Sequence, residues 1–420
     1  MTLPSGFINQ MLNLLGEETE QFLLAMQQPP VTSVRMNRRK PGAEFPEGTP
    51  VKWCSCGLYL PERPSFTLDP LLHAGAYYVQ DASSMIYHEV VTRLSLKFNE
   101  ESGADQNIPL ALLDMCAAPG GKSSAMIDAL PDGSRIVANE YVAKRAAILK
   151  ENIAKWGYPN VAVTNLDSSR FAQNGDSFDI VAVDAPCSGE GMMRKDATAI
   201  AQWSPELIRD CAALQKEILK NAAEAVKPGG FLIYSTCTFN RIENEENAEF
   251  IANELRFEPY DMEFPDEWGI LKGIDTTIPV YRFMPHKTRG EGLFLSVFRK
   301  PGIWNPSNLA TSMHKPLKSH VKADMTKQKA ALPKHKQSRE DVPDIEEVLA
   351  VDFDRTRFPE ADVDLPTALS YLRRESVVLP SDIPRGIVTI TYKGLPLGMA
   401  KNIGTRANNL YPKNWRILMQ

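Results

Sequence analysis

The sequence predicts an α/β protein with a parallel sheet at its centre. Two observations predict it. From about Leu110 onward, short β-rich apolar runs alternate with helical stretches, and polar residues with chemical potential fall where those runs end. At 420 residues the chain is also too long for one ordinary core, so further units are expected to flank that sheet.

The expected strands are "LALLDMC", "SRIVANEY", "NVAVTNLD", "FDIVAVDAPC" and "GGFLIYSTC". Between them "GKSSAMIDAL", "VAKRAAILKENIAKWG" and "SPELIRDCAALQKEILKNAAEAV" carry the 3.6-residue apolar period of helices. "YRFMPHKTRGEGLFLSVFRK" breaks the alternation and reads as a closing antiparallel hairpin around "RGEG". The first hundred residues mix helical patterns with turns. They hold a basic cluster, "SVRMNRRKPG", that reads either as a solvated loop or as a clamp, and a helical pattern, "YYVQDASSMIYHEVVTRL". From His314 to Arg339 seven Lys, one Arg and three His face a single Asp without apolar period, as in a mobile basic linker. Pattern returns from about Asp344, with strands and Gly turns. The expected organisation is an N-terminal mixed unit (1–105), the alternating α/β unit (106–300), a basic connection (301–360) and a small C-terminal module (361–420).

Composition narrows the classes. Hydrophobic residues make up 43% and charged residues 24%, which are globular values, and no apolar run approaches the roughly 18 residues of a membrane span. The amino terminus has no basic n-region or cleavage pattern, so secretion is not expected. Six cysteines over this length fit reduced thiols in the cytoplasm. A net charge of −5 excludes a surface uniformly coated for nucleic acid but permits local basic patches.

The loop "CAAPGGKSS" follows the first strand and opens a helix, so small residues and free N–H groups can approach a ligand. It is not a P-loop, because Cys116 stands where the first glycine is needed, and G-x-G-x-x-G is absent. An adenosyl group without a triphosphate remains. Glu140, Asp167 and Asp184 end the next three strands, on the edge where a doubly wound sheet binds nucleosides. Each acid alone would read as a turn or helix cap.

Two thiols reach the same edge: Cys187 in "DAPCSGEGMMRKD" and Cys237 in "STCT". No C-x-x-C pair or nearby His completes a metal site, and no His falls between Leu110 and Arg282 to serve a Cys–His enzyme. Carbon-nucleophile chemistry accounts better for two thiols. Carbon 5 of a pyrimidine is too electron-poor to attack a methyl sulfonium. A thiolate added at carbon 6 activates it, and a second group can assist release.

"DMCAAPGGKSS", "DAPCSGEGMMRKD" and "STCT" together resemble the NOL1/NOP2/Sun family of RNA cytosine-5 methyltransferases. The resemblance implies a Rossmann-like core that uses S-adenosylmethionine, with no metal. It implies Cys237 as nucleophile and Cys187 as release catalyst. Cys116, Ala117, Ala118, Pro119, Gly120, Gly121, Lys122, Glu140, Asp167 and Asp184 would line the cofactor pocket, with Lys122 and Asp184 also touching the cytosine. DNA cytosine-5 methyltransferases would exchange the roles of the two thiols.

"KGLPLGMAKNIGTRANNLYPKNWRI" resembles the PUA-like tail of the bacterial branch acting on 16S ribosomal RNA. The implied partner is that RNA or the small ribosomal subunit; transfer RNA and a silent assembly factor are the alternatives. Arg35, Arg38, Arg194, Lys195, Lys401 and Arg406 are expected to contact phosphates, and Tyr411 and Trp415 to offer stacking faces. A flipped cytosine would need such clamps. Nothing in the sequence demands more than a monomer.

Overall fold

The structure, a computed structural model, describes residues 2–104, 107–173, 175, 177–306 and 342–419. The expected linker between His314 and Arg339 lies outside the described residues.

The chain opens with two helices, α1 (Ser5–Leu15) and α2 (Thr19–Gln27). An antiparallel sheet follows, built from β1 (Thr32–Met36), β2 (Thr49–Val51), β3 (Cys54–Leu60) and, after the short α3 (Pro70–Ala74), β4 (Tyr77–Val79). Its order is β2-β3-β1-β4. Two expectations change here. The basic cluster is not a loop at its start, because "SVRM" lies in β1. "YYV" is strand β4 rather than helix, and α4 begins only at Ile86 and runs to Ser102. Adjacent β-prone aromatic and branched residues, paired with Val34–Met36, outweigh the helical period there.

The central sheet is laid down as β5 (Ala111–Asp114), α5 (Gly121–Ala129), β6 (Arg135–Asn139), α6 (Ala143–Trp156), β7 (Val161–Thr164), α7 (Ser169–Ala172) and β8 (Phe178–Asp184). Then come α8 (Ala197–Gln202), α9 (Pro205–Ala225), β9 (Val226–Thr236) and α10 (Glu245–Asn253). Helix α9 starts where the sequence places a cap: Ser204 Oγ accepts from Leu207 N, and Pro205 occupies the first turn. The short β10 (Glu258–Pro259) and β11 (Leu271–Lys272) precede the expected hairpin, β12 (Val280–Phe283) and β13 (Leu293–Arg299). Among the described residues the sheet has nine strands in the order β11-β12-β13-β9-β8-β5-β6-β7, with β10 paired to β13. The neighbours β7-β6-β5-β8-β9 are parallel and the hairpin side is antiparallel.

Alternation explains why the central strands are apolar throughout. Leu112, Ile180, Ala182 and Ile233 face one core with α4 and α5, whereas Ala111, Leu113, Val181, Val183 and Leu232 face the other with α9 and α10. Both faces are covered, so neither set can be polar.

The C-terminal unit comprises α11 (Ile345–Val348), β14 (Glu360–Asp362), α12 (Leu365–Leu372), β15 (Gly386–Tyr392), β16 (Leu395–Asn402) and β17 (Ala407–Asn409), with strand order β14-β15-β16-β17. Its core reaches back to Ile345 and Leu349, ahead of the expected start at 361, because those side chains bury against Tyr371, Leu397 and Ala400. The same cluster takes in Ala74 of α3 and Ala154 of α6, so three units meet along one seam. There the Lys40 ammonium donates to Ala74 O and Lys155 O, and Val351 N donates to Gly157 O. Among the described residues no helix is long and apolar enough to cross a membrane.

Candidate active site

The glycine loop leaves β5 and enters α5. Gly120 has φ +111°, a left-handed conformation that favours glycine, and a Cβ on Gly121 would stand 3.2 Å from Tyr78 Cε1. The loop is braced from outside: Pro119 O accepts from Tyr78 OH at 3.2 Å and Asn152 Nδ2 at 2.8 Å, and Ala118 O accepts from Arg145 Nη2 at 2.9 Å. Beneath it Asp114 accepts from Ser123 Oγ at 2.6 Å, and burial pushes its carboxyl up to about 7. Cys116, Ala117 and Ala118 continue the loop, with Ala117 N bonded to Asn139 O. The Cys116 thiol is pushed up by burial and by Asp114 beside it.

The three acids differ. The Glu140 side chain is buried. Its Oε1 accepts from Val142 N at 2.9 Å, while Oε2 has no hydrogen-bond partner and lies 3.5 Å from Arg145 Nη1. Asp167 is exposed and turns its Oδ1 to Ser169 N and Ser169 Oγ, which hold its carboxyl below the usual range. Asp184 pairs with Lys122 at 2.8 Å and accepts from Ser235 Oγ at 2.7 Å; that hydroxyl also meets Tyr87 OH at 2.8 Å. Burial pulls Lys122 down, but the Asp184 carboxylate outweighs it and holds the ammonium above its ordinary value.

The thiols converge because their strands do. β8 and β9 run parallel as neighbours, with Asp184 opposite Ser235, so both chains leave the sheet at one edge. Cys187 Sγ and Cys237 Sγ are 3.3 Å apart, each partly exposed. The hydrogen bond with Cys187 holds Cys237 below the ordinary thiol value against the opposing effect of burial. The same contact and burial hold Cys187 well above it.

Sequence reasoning missed what holds this pair. Glu190, fully buried, accepts at Oε2 from Thr238 Oγ1, Phe239 N and Asn240 N (2.7, 2.7 and 3.0 Å) and at Oε1 from Gln10 Nε2 and Trp203 Nε1 (2.7 and 2.9 Å). Glu243, equally buried, accepts from Ser188 N, Ser188 Oγ, Asn240 Nδ2 and Gln215 Nε2. Gly191 N donates to Cys237 O at 2.8 Å, and a Cβ there would come within 2.8 Å of that oxygen. The one sequence signal was Glu190 set between two glycines.

The expected RNA contacts divide. Arg35 is corrected: its guanidinium pairs with Asp128, donates to Gln80 Oε1 at 2.9 Å and to Ser124 Oγ, and lies 4.5 Å from the Trp156 ring centre, with no exposed surface left. Arg194 is corrected too, since it is sequestered by Glu291 at 2.7 Å and Gly290 O. Tyr411 and Trp415 are core residues, packed on each other and on Tyr371, because the small module has little else to bury. Arg38, Lys401 and Arg406 are exposed, and Lys195 is one-third exposed beside Glu291.

Comparison with known proteins fits this geometry. Residues 104–299 match the family model described as 16S rRNA methyltransferase RsmB/F. Residues 3–82 match the N-terminal domain of 16S rRNA methyltransferase RsmF, and 358–417 match the methyltransferase RsmF PUA domain. The ribosomal RNA small subunit methyltransferase F of Salmonella agona (strain SL483) is 32% identical over 98% of this chain and 96% of its own. The chain belongs to the RsmB/F family. As an RsmB/F member it is an RNA methyltransferase dependent on S-adenosylmethionine. Among solved structures, a methyltransferase homolog from Pyrococcus horikoshii is 25% identical with a TM-score of 0.58, covering 71% of this chain and 95% of that one. NSun6 of Pyrococcus horikoshii, solved with SFG, shares the fold at 20% identity and TM-score 0.58, over 71% and 98% of the two chains. Together these bear out the expected Rossmann-like core with an N-terminal unit and a PUA tail. The RsmB/F site also fits its cofactor: a buried carboxylate oxygen of Glu140 lacks a hydrogen-bond partner, and a Cβ would crowd the glycine cradle. Among the described residues no cluster of His, Cys, Asp and Glu is suited to a metal ion.

Proposed function

We propose that the protein methylates carbon 5 of a cytidine in 16S ribosomal RNA, with Cys237 as the covalent nucleophile and Cys187 aiding release. The observation that carries this reading is the approach of the two thiols to 3.3 Å at the edge that also holds the Lys122–Asp184 pair. The names of the relatives support the substrate.

S-adenosylmethionine, when bound, supplies the electrophilic methyl group. Glu140 and Asp167 would hold its ribose and base end, and the loop from Cys116 to Gly121 its amino-acid end. Lys122 donates to the pyrimidine edge while Asp184 accepts from its amino group, which orients carbon 6 toward Cys237. The Cys237 thiolate adds there, and electron density moves to carbon 5. After methylation the carbon 5 proton is lost to solvent, from which Cys187 is later reprotonated, the double bond re-forms and the carbon–sulfur bond breaks. Cys187, held protonated beside that sulfur, supplies a proton to it as it leaves. Lys195, Arg38, Lys401 and Arg406, which are exposed, would meet flanking phosphates. In this reading the enzyme is cytoplasmic and acts as a monomer.

The test is covalent capture in cells. Cys187→Ala is expected to retain RNA through denaturing purification, and sequencing that RNA names the substrate. Wild type and Cys237→Ala are expected to carry none. Retention by Cys237→Ala instead would exchange the two roles, and attached transfer RNA would replace the substrate.

A further inference from the structure

Glu190 carries an unusual burden for a carboxylate. It is fully buried, yet among the described residues no lysine or arginine pairs with it. Five donors satisfy it, three on Oε2 and two on Oε1. Both oxygens therefore face donors only. A glutamine would turn an NH₂ toward either two or three of them, leaving buried groups unpaired.

The origin of those donors matters more than their number. Thr238, Phe239 and Asn240 are the residues directly after Cys237, so Oε2 shapes the turn that presents the thiol. The next residue, Gly191, holds the carbonyl of Cys237 itself at 2.8 Å. Oε1 reaches the other way, to Trp203 and to Gln10 on helix α1 of the N-terminal unit. Docking of α1 at this point is close: a Cβ on Gly6 would stand 2.9 Å from the Trp203 ring, and Phe7 packs edge-on to that ring at 6.1 Å. Phe22 of α2 meets Phe239 at 5.1 Å, a second contact between the N-terminal helices and the same turn.

We propose that Glu190 is a positioning residue for Cys237 and that Gln10 completes its acceptor set. The N-terminal helices then help shape the nucleophile's turn, in addition to any part they have in holding RNA. Because it is fully buried, Glu190 acts through the backbone amides of Phe239 and Asn240 rather than on the substrate directly. The inference rests on Cys237 being the attacking thiol.

The experiment compares Glu190→Gln, Gln10→Leu and Trp203→Phe in the full-length protein. Three readouts apply: S-adenosylmethionine affinity by calorimetry, steady-state methylation of transcribed 16S ribosomal RNA, and the rate at which diamide joins Cys187 to Cys237. In the last reaction the two thiols lose two hydrogens to diamide, which becomes the hydrazine, so the rate reports how closely the sulfurs are held. Glu190→Gln is expected to lower kcat by about 100-fold and to slow disulfide closure, with cofactor affinity and KM for RNA unchanged. Gln10→Leu and Trp203→Phe are expected to lower kcat by about 3- to 10-fold through the same route, again without a change in KM. They keep the test decisive if Glu190→Gln does not fold.

Wild-type kcat and cross-linking in Glu190→Gln would overturn the proposal. So would a Gln10→Leu effect confined to KM, which would make the N-terminal contact one of RNA binding alone. Failure of the underlying reading shows separately, as methylation that survives in Cys237→Ala; the diamide rate does not depend on which thiol attacks.

Discussion

Cys187 Sγ lies 3.3 Å from Cys237 Sγ although fifty positions separate them, and the contact makes the two thiols chemically unequal. One sulfur is the hydrogen-bond donor and the other the acceptor, so Cys237 is held low and Cys187 high. Limiting iodoacetamide near neutral pH is therefore expected to label Cys237 before Cys187 or Cys116. Peptide mass spectrometry checks the order, and equal labelling of the pair would show that the polarisation is absent.

Glu140 keeps a buried oxygen without a hydrogen-bond partner at the cofactor edge. A ligand hydroxyl bonded to a carboxylate there contributes about 1.5–3 kcal/mol. Glu140→Gln should weaken S-adenosylmethionine binding by that amount, read by calorimetry, with thermal stability little changed.

Arg35 predicts an effect of the opposite kind. Arg35→Met strands Asp128 without its cation, and breaking such a buried pair costs about 3–5 kcal/mol. The melting temperature should fall while RNA affinity at low temperature holds. A loss of RNA affinity in a variant as stable as wild type would restore Arg35 to the RNA surface.

Acid should destabilise the seam between the units. Burial, with help from the charge of Lys155, holds His73 down to about 4 from an ordinary 6.5. The unfolded chain takes up this proton first, so the stability carried by the neutral ring is intact above about pH 6.5. It is lost as pH falls toward about 4, amounting to about 3 kcal/mol in all. His73→Gln retains a donor for Thr67 O but does not titrate, so urea unfolding should show a flatter pH dependence across that window.

The core was legible because its signals are periodic and local. Strand–helix alternation, glycines at a strand–helix junction, and polar residues at strand ends do not depend on distant partners, and β5 to β9 appear where they were expected. Side-chain fate was less legible. Nothing local distinguishes Arg35, enclosed by a carboxylate 93 positions away, from Arg38, which stands in solvent beside Ser55. Tyr411 and Trp415 carry the composition of a stacking surface, but a module this small must spend its aromatics on its own core. The N-terminal sheet was hidden by brevity: β2 and β4 are three residues each, too short for period two to register. The roles of Glu190 and Glu243 were hard to read because their partners are neutral donors, which leave no complementary charge in the sequence; only the glycines on either side of Glu190 hinted at one.

The enclosure of Arg35 also bears on how this chain can be cut. Residues 106–300 look like a portable catalytic cassette. Yet that fragment would carry Asp128 and the face of Trp156 bare to water, and Pro119 would lose the Tyr78 hydroxyl that braces it. Chimeras that exchange the amino-terminal hundred residues would inherit the same mismatch unless β1 and β4 travelled with their acceptors. The smallest transplantable piece is thus larger than the segment that holds the thiols.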